Sequence, residues 1–401
     1  MAKQAYKYAI IGGGLAGASA VEGIRERDKN GTILLIGTEQ HLPYHRPPLT
    51  KGLWLGKKKV EDVFVHDRKF YDDNGVTLAL GAMAAAIDAN ARTVTDAAGT
   101  EYSFEKLLIA TGGIPRRLDL PGADHQGICY FRYLDDYLRL RPEAIDGASA
   151  IVIGGGFIGS EIAASLCVNK VSVTMAFPSP HICDRVFPAE LAQAMQQRYE
   201  ERGITIYAND KPASFTRAGG KFIVATEKGK RVAADIAIVG IGILPELALA
   251  QGAGLQVDNG IVVNELLETN APGIFAAGDN ALFPYRALGK QMRVEHWDNA
   301  LNQGRWAGRN MAGAREPFTY MPYFFSDLFE FGYEAVGDVN SQLETVPDWQ
   351  KENDTGVIYY LADGKVRGMM MCNEWDRVPA AREIILRGEK MTTEALHGAL
   401  R

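Results

Sequence analysis

Apolar residues in this chain occur in short runs that repeatedly end in glycine. Residues 8–11 form one such run and lead directly into Gly12-Gly13-Gly14, which predicts a buried strand entering a tight turn. Residues 15–27 then carry apolar positions at helical spacing, and residues 32–36 are apolar again. Together they predict a β-α-β unit. The pattern returns as a strand over 150–153, a helix over 157–168 and a strand over 171–175, so the unit is duplicated within the chain. Three further strand-then-glycine runs occur: Leu107-Leu108-Ile109-Ala110-Thr111-Gly112-Gly113, Ala237-Ile238-Val239-Gly240-Ile241-Gly242, and Gly273-Ile274-Phe275-Ala276-Ala277-Gly278-Asp279. After about residue 320 the texture becomes aromatic and alternating. There Ala362-Asp363-Gly364-Lys365 predicts a hairpin turn between strands 357–361 and 366–371, and a last helix is expected from Ala380.

This order predicts an α/β protein with two Rossmann-like dinucleotide-binding domains and a C-terminal α+β domain. The expected boundaries are 1–118 with 247–320 for the first, discontinuous domain, 119–246 for the second, and 321–401 for the third. A length of 401 residues fits several cores and not one.

Composition narrows the function classes. With 47% hydrophobic and 23% charged residues and a formal net charge of −6, the chain is of ordinary globular type and lacks the clustered positive field of a general nucleic-acid binder. Cys129, Cys167, Cys183 and Cys372 contain no Cys-x-x-Cys pair, so a disulfide framework, a zinc site or any metal site is not expected and the thiols read as buried apolar groups. The apolar run near the N-terminus belongs to a glycine motif and not to a signal peptide. No apolar stretch approaches the ~20 residues of a membrane span. A cytoplasmic protein, monomer or homodimer, with no membrane partner is expected.

The chemistry lies in the glycines. In Gly12-Gly13-Gly14-Leu15-Ala16-Gly17, Gly12 serves the tight turn, Gly14 the close approach of a pyrophosphate, and Gly17 the packing of helix on strand. The helix N-terminus then offers unpaired N–H groups and partial positive charge to phosphate. Glu39, after the second strand, is the candidate acceptor for an adenosine ribose hydroxyl, although Thr38 occupies the position one residue earlier. Gly154, Gly156 and Gly159 repeat the fingerprint, but the strand after it runs into Ala176-Phe177-Pro178-Ser179 without an acid. Arg185 is the nearest arginine that a 2′-phosphate could use, so NADH and NADPH both stay open here. Two dinucleotide sites on one chain imply that one dinucleotide stays while the other visits and exchanges hydride with it. A resident flavin meets that need, because it accepts a hydride and releases single electrons.

Further segments carry a family resemblance: Leu42-Pro43-Tyr44-His45-Arg46-Pro47-Pro48-Leu49-Thr50-Lys51, Ala110-Thr111-Gly112-Gly113-Ile114-Pro115-Arg116, residues 154–161, Ala276-Ala277-Gly278-Asp279, Val294-Glu295-His296-Trp297-Asp298-Asn299-Ala300, and Phe324-Phe325-Ser326-Asp327-Leu328. With these the sequence resembles the two-dinucleotide flavoproteins of the ferredoxin/rubredoxin reductase and apoptosis-inducing-factor group, whose architecture is glutathione-reductase-like. The resemblance implies bound FAD and a visiting NAD(P)H, with NADH slightly favoured. It places Arg46 and Arg116 near the FAD pyrophosphate, Asp279 near the ribityl chain, and Lys51 near the reactive edge of the ring paired with Glu161. These last two are the catalytic candidates. A cation there stabilises negative charge on reduced flavin. The same resemblance implies that Phe157 borders the nicotinamide pocket. Glu295, His296 and Trp297 would cover the flavin and nicotinamide region, with Phe325 near them. Ala16, Ala84, Ala110, Thr111, Gly112, Ile158, Gly242 and Gly278 complete the cofactor-binding candidates.

Disulfide reductases of similar build need a cysteine pair or a single cysteine at the flavin, and neither is expected here. The leading expectation is therefore an NAD(P)H-dependent FAD oxidoreductase. Its electrons leave for a one-electron acceptor such as ferredoxin, rubredoxin or a quinone, a protein or a small molecule. The alternative is a redox-gated interaction protein of apoptosis-inducing-factor type, with slow NADH turnover and a charge-transfer complex.

Overall fold

The computed structural model describes residues 4–400, and the chain divides into two compact units. The first comprises Met1–His45, Val60–Ile114 and Leu244–Pro322. The second comprises Arg46–Lys59, Pro115–Ile243 and Tyr323–Arg401.

The first unit is built on a parallel sheet. Its strands run in the spatial order Val76–Leu80, Ile33–Gly37, Gln4–Ile11, Glu101–Ile109, with Ile274–Ala276 paired beyond the last. The short strands Ala84–Asp88 and Thr93–Asp96 extend the sheet in antiparallel fashion. Residues 8–11 and 33–37 are wholly buried, as expected for strands covered on both faces. The first strand begins at Gln4, earlier than its apolar run, because residues 4–6 pair with residues 102–104 at the sheet's end. The helix Leu15–Arg27 starts where Gly14 is extended, at φ −97° and ψ −171°.

A second helix, Trp297–Met311, lies along Leu15–Arg27 at backbone contact. A Cβ on Gly304 would stand 2.2 Å from the Ala16 carbonyl oxygen, one on Gly308 2.2 Å from that of Ala20, and one on Gly23 2.0 Å from that of Arg305. No side chain fits between these helices at those three points.

The second unit holds a five-stranded parallel sheet, in the order Thr205–Ala208, Ser172–Phe177, Ser149–Ile153, Ile236–Val239, Cys129–Tyr130. A three-stranded antiparallel sheet, Pro212–Ala218, Lys221–Thr226 and Arg231–Ala234, packs its buried face on this core through Phe215, Phe222 and Val224. The helix Phe157–Val168 opens at Gly156, as its glycines require. The aromatic region after residue 320 is a five-stranded antiparallel sheet ordered Tyr323–Leu328, Phe331–Gly337, Lys365–Cys372, Thr355–Ala362, Glu344–Lys351. Asp363, at φ +53°, and Gly364 form the turn between Thr355–Ala362 and Lys365–Cys372. The helix Val378–Arg387 follows.

The segment Arg46–Lys59 is stitched into the second unit by side-chain-to-backbone bonds. Ser165 Oγ donates to the Thr50 carbonyl at 2.6 Å, Asn169 Nδ2 to that of Trp54 at 3.0 Å, and Tyr137 Oη to that of Leu53 at 3.2 Å. Outside the short 3-10 turn Pro47–Leu49, the buried carbonyls of such a segment need partners of this kind.

Candidate functional site

Each unit carries a glycine turn beneath a helix N-terminus, made by one device and shaped to cradle a phosphate. In the first, Gly12 has φ +130°, and a Cβ there would lie 2.1 Å from the Ala110 carbonyl oxygen. Gly17 is equally confined, 2.1 Å from the Gly12 oxygen. Gly14 differs: no heavy atom lies within 4 Å of the position its Cβ would take. In the second unit, Gly154 has φ +120° and would strike the Gly240 oxygen at 2.3 Å, and Gly159 the Gly154 oxygen at 2.0 Å, while Gly156 again faces open space. Both turns thus fold tightly under a helix N-terminus and leave a gap at the middle glycine. Neither helix has a side-chain N-cap bond, so first-turn N–H groups are available to an anion. Ile158 stands half-exposed beside the second turn, and Phe157 has its ring 5.6 Å from that of Phe324.

Around the first cradle the strand ends 110–112 and 276–279 close in. Gly278, at φ +88°, lies against Ala16, with 3.2 Å from its would-be Cβ to that of the alanine. Its N–H donates to Gln303 Oε1 at 2.9 Å. Asn280 Nδ2 donates to Thr111 Oγ1 at 2.9 Å. Among the described residues, Asn280 Oδ1, Gln303 Nε2 and Asn299 Oδ1 are buried without a hydrogen-bond partner. The gap at Gly14 suits the close approach of a dinucleotide's pyrophosphate.

Glu39 accepts a bond from Tyr44 Oη at 2.6 Å. Ala84 is a buried residue at the start of its strand. Arg293 Nη1 donates to the Asp279 carbonyl at 2.9 Å and pairs with Glu295. Trp297 Nε1 donates to His45 Nδ1 at 2.9 Å, which ties the Glu295-His296-Trp297 run to the Tyr44-His45-Arg46 run. Desolvation pushes the His296 imidazole down to about 4, against the opposing pull of Asp279. His296 is therefore neutral at pH 7.

The second unit brings Lys51, Glu161 and Phe325 together. Lys51 Nζ lies 3.0 Å from Glu161 Oε1 and 4.9 Å from the centre of the Phe325 ring. Glu161 is 7% exposed, so its charge needs partners. It has two besides Lys51: Thr50 Oγ1 donates to Oε2 at 2.5 Å, and Ser326 Oγ to Oε1 at 2.5 Å. A cavity of about 650 Å³ opens beside the pair, walled in part by Lys51, Glu161, Ser165, Val168, Asp327 and Phe329. Arg46 and Arg116 also lie in this unit. The Arg46 guanidinium donates to the Arg132 carbonyl at 2.7 Å and lies over the Tyr133 ring, and the Arg116 N–H donates to the Gly242 carbonyl at 2.9 Å.

Thr50, Ser326, Gln303 and Asn280 were not singled out by pattern. Thr50 and Ser326 flank residues that were, but a hydroxyl in a strand or turn carries no periodic signal, and only the fold shows where it points.

Two dinucleotide cradles, a buried lysine–carboxylate pair and four free cysteines define an oxidoreductase that uses FAD and NAD(P)H. Residues 6–304 match the family described as pyridine nucleotide-disulphide oxidoreductase, and residues 307–355 match the C-terminal region of apoptosis-inducing factor, mitochondrion-associated. The chain belongs to the pyridine nucleotide-disulphide oxidoreductase family. It is 33% identical over 383 residues to the ferredoxin–NAD(+) reductase component of the anthranilate 1,2-dioxygenase system of Burkholderia cepacia, covering 95% of this chain and 94% of that one. It is 34% identical to a rubredoxin-NAD(+) reductase of Pseudomonas putida, covering 82% and 86%. The crystal structure of a covalent putidaredoxin reductase–putidaredoxin complex superposes with TM-score 0.90 at 30% identity, covering 97% of this chain and 95% of that one. Among the described residues no helix is long and apolar enough to cross a membrane.

Proposed function

We propose that the protein takes hydride from NADH and delivers electrons one at a time to a small redox protein of ferredoxin or rubredoxin type. The balance is one NADH and two oxidised carriers giving NAD⁺, a proton and two reduced carriers. The duplicated cradle is the observation that supports this reading most directly, since two dinucleotides on one chain are what a hydride relay needs. FAD is assigned to the Gly12-Gly14-Gly17 cradle and the nicotinamide dinucleotide to the Gly154-Gly156-Gly159 cradle. The corresponding domains are 1–118 with 247–320, and 119–246, with 321–401 as a third.

Bound FAD supplies the conversion of a two-electron donor into two single electrons. The chain supplies the rest. The helix N-termini at Gly14 and Gly156 hold the two pyrophosphates, Asp279 and the glycines around it orient the resident dinucleotide, and Lys51 holds positive charge where negative charge develops. Glu161 keeps Lys51 in place. His296, neutral at pH 7, serves as a positioning group without adding charge. The likeness to ferredoxin and rubredoxin reductases supports a carrier of that type.

The test is direct. Purified protein is expected to be yellow, to release FAD on denaturation, and to reduce a ferredoxin or rubredoxin with NADH faster than with NADPH. A colourless protein that FAD does not reconstitute overturns the proposal. A second reading, a redox-gated interaction protein, is favoured by the match of residues 307–355 to the C-terminal region of apoptosis-inducing factor. It requires slow turnover with every carrier and slow reoxidation in air.

A further inference from the structure

We propose that Ser326 and Thr50 are positioning residues for the hydride step, acting through Glu161 to aim the Lys51 ammonium. The inference rests on the reading above, in which Lys51 acts on the bound FAD.

The geometry is specific. An ionised carboxylate offers two oxygens with about four lone-pair directions. Thr50 takes one on Oε2, and Ser326 and Lys51 share Oε1. The hydroxyls arrive from different parts of the fold. Thr50 precedes Lys51 and is itself anchored by Ser165 of the helix that carries Glu161. Ser326 sits on the strand Tyr323–Leu328 of the C-terminal sheet, opposite the buried Tyr333. Two anchored donors on two oxygens fix the plane of the carboxylate, which one donor cannot do.

A fixed Glu161 plane has two effects on Lys51. It confines the ammonium to one side of one oxygen, with Phe325 4.9 Å away and Asp327 Oδ2 at 4.0 Å. It also spreads the carboxylate's negative charge over two hydroxyl donors, so Lys51 is not drawn into a symmetric pair that would cancel its field. Both effects matter only for a cation that works on a neighbouring group. For stability alone, any two donors would satisfy Glu161. The C-terminal sheet thereby fixes Glu161 through a single hydroxyl.

The experiment uses full-length holoenzyme and four variants: Ser326→Ala, Thr50→Val, and the conservative Ser326→Thr and Thr50→Ser. Stopped-flow reduction by NADH gives a limiting rate per bound FAD and an apparent Kd, and spectroelectrochemistry gives the midpoint potential of the bound FAD. Ser326→Ala and Thr50→Val are each expected to lower the limiting rate by about 10- to 100-fold, the range for a small misplacement of a reacting group. The Kd for NADH is expected to stay within about twofold, since neither residue contributes uniform binding. The potential is expected to move to more negative values, and the conservative variants to restore rate and potential. Unchanged rate and potential in both hydroxyl-deleted variants overturn the inference, even if they melt earlier. If one deletion does not fold, the other decides alone, because the two hydroxyls act on different oxygens. A wild-type protein whose FAD neither NADH nor NADPH reduces overturns the underlying reading instead, an outcome the wild-type trace alone identifies.

Discussion

Adding a single methyl group separates the glycines that build the cradles from the glycines that leave room for a ligand. In Gly17→Ala the new Cβ would sit 2.1 Å from the Gly12 carbonyl oxygen, where ordinary contact begins at 3.4 Å. Both partners are backbone, so the turn or the helix must shift by more than an ångström. Overpacking of that kind costs about 1–3 kcal/mol, and more where nothing can yield. Gly14→Ala meets no atom within 4 Å, and Gly14 already has the extended backbone that alanine accepts. Its effect on the unliganded protein is expected to lie between nothing and a gain of about 1 kcal/mol from the stiffer unfolded chain. The loss appears only with FAD, because the methyl fills the gap assigned to the pyrophosphate. A displacement costing about 1.5–3 kcal/mol weakens FAD binding by about 10- to 100-fold. Calorimetry on FAD-stripped protein reads the first quantity, and titration of FAD fluorescence quenching reads the second. The mirror variant Gly156→Ala should keep FAD affinity and raise the KM for NADH. If Gly14→Ala retains FAD as tightly as the wild type, the gap is not the phosphate site and the assignment of the first cradle fails.

Lys51→Met should slow FAD reduction by NADH and also destabilise the fold by about 3 kcal/mol, the cost of leaving a buried charge without its ionic partner; unchanged reduction kinetics would remove Lys51 from the site. His296 makes a pH prediction whose sign follows from its depressed pKa. The unfolded chain takes up a proton as pH falls through about 6.5, the folded chain only near 4, so the stability from neutral His296 is complete above 6.5 and is lost on acidification. Between pH 7.5 and 5 the loss is up to about 2 kcal/mol, and urea unfolding of His296→Gln should lose that much less than the wild type over the same interval. Gly304→Ala should lower both stability and FAD retention, because its Cβ would push on the Ala16 carbonyl of the helix proposed to face the FAD pyrophosphate; normal FAD retention would show that the helix pair tolerates the shift.

What the sequence made legible is what backbone geometry demands. Glycines at 12, 14 and 17 admit few conformations, so the helix was expected to run over 15–27 and does so. The helix over 157–168 follows for the same reason. The hairpin around Asp363-Gly364 was likewise legible from its turn residues. Strand ends were less so. The strand expected over 171–175 runs instead over Ser172–Phe177, because Ala176 and Phe177 pair with Tyr207 and Ala208 and carry it two residues further. Least legible were the side chains that hold other side chains. Nothing about Ser326 in an aromatic segment, or Thr50 after a proline pair, announces that both reach one carboxylate. The attachment of Arg46–Lys59 to the second unit was hidden for the same reason: it depends on Ser165, Asn169 and Tyr137 finding three carbonyls. Such bonds depend on where the chain has already been folded, and no local pattern encodes them.

The strand-then-glycine runs that recur along the chain have one physical origin, and it distinguishes the two cradles. The first glycine of each fingerprint turns with positive φ directly against the carbonyl at the end of the neighbouring strand, Ala110 for Gly12 and Gly240 for Gly154. A side chain at Gly12 or Gly154 would break that contact, so each fingerprint requires a partner run with little bulk at its end. The first cradle has a second such run, in which Gly278 approaches Ala16 and its N–H is held by the buried Gln303. That extra run also leads into Asp279 and Asn280, and Asn280 Nδ2 donates to Thr111 Oγ1. A dinucleotide in the first cradle would therefore meet polar groups from two strand ends, whereas the second cradle presents the end of one. Each additional hydrogen bond that a ligand makes to such groups contributes about 0.5–1.5 kcal/mol net of the water it displaces. Two or three more such bonds at the first cradle than at the second would lower the dissociation constant by roughly one to three powers of ten, which is the direction needed for one dinucleotide to stay while the other, at a turn of the same shape, comes and goes.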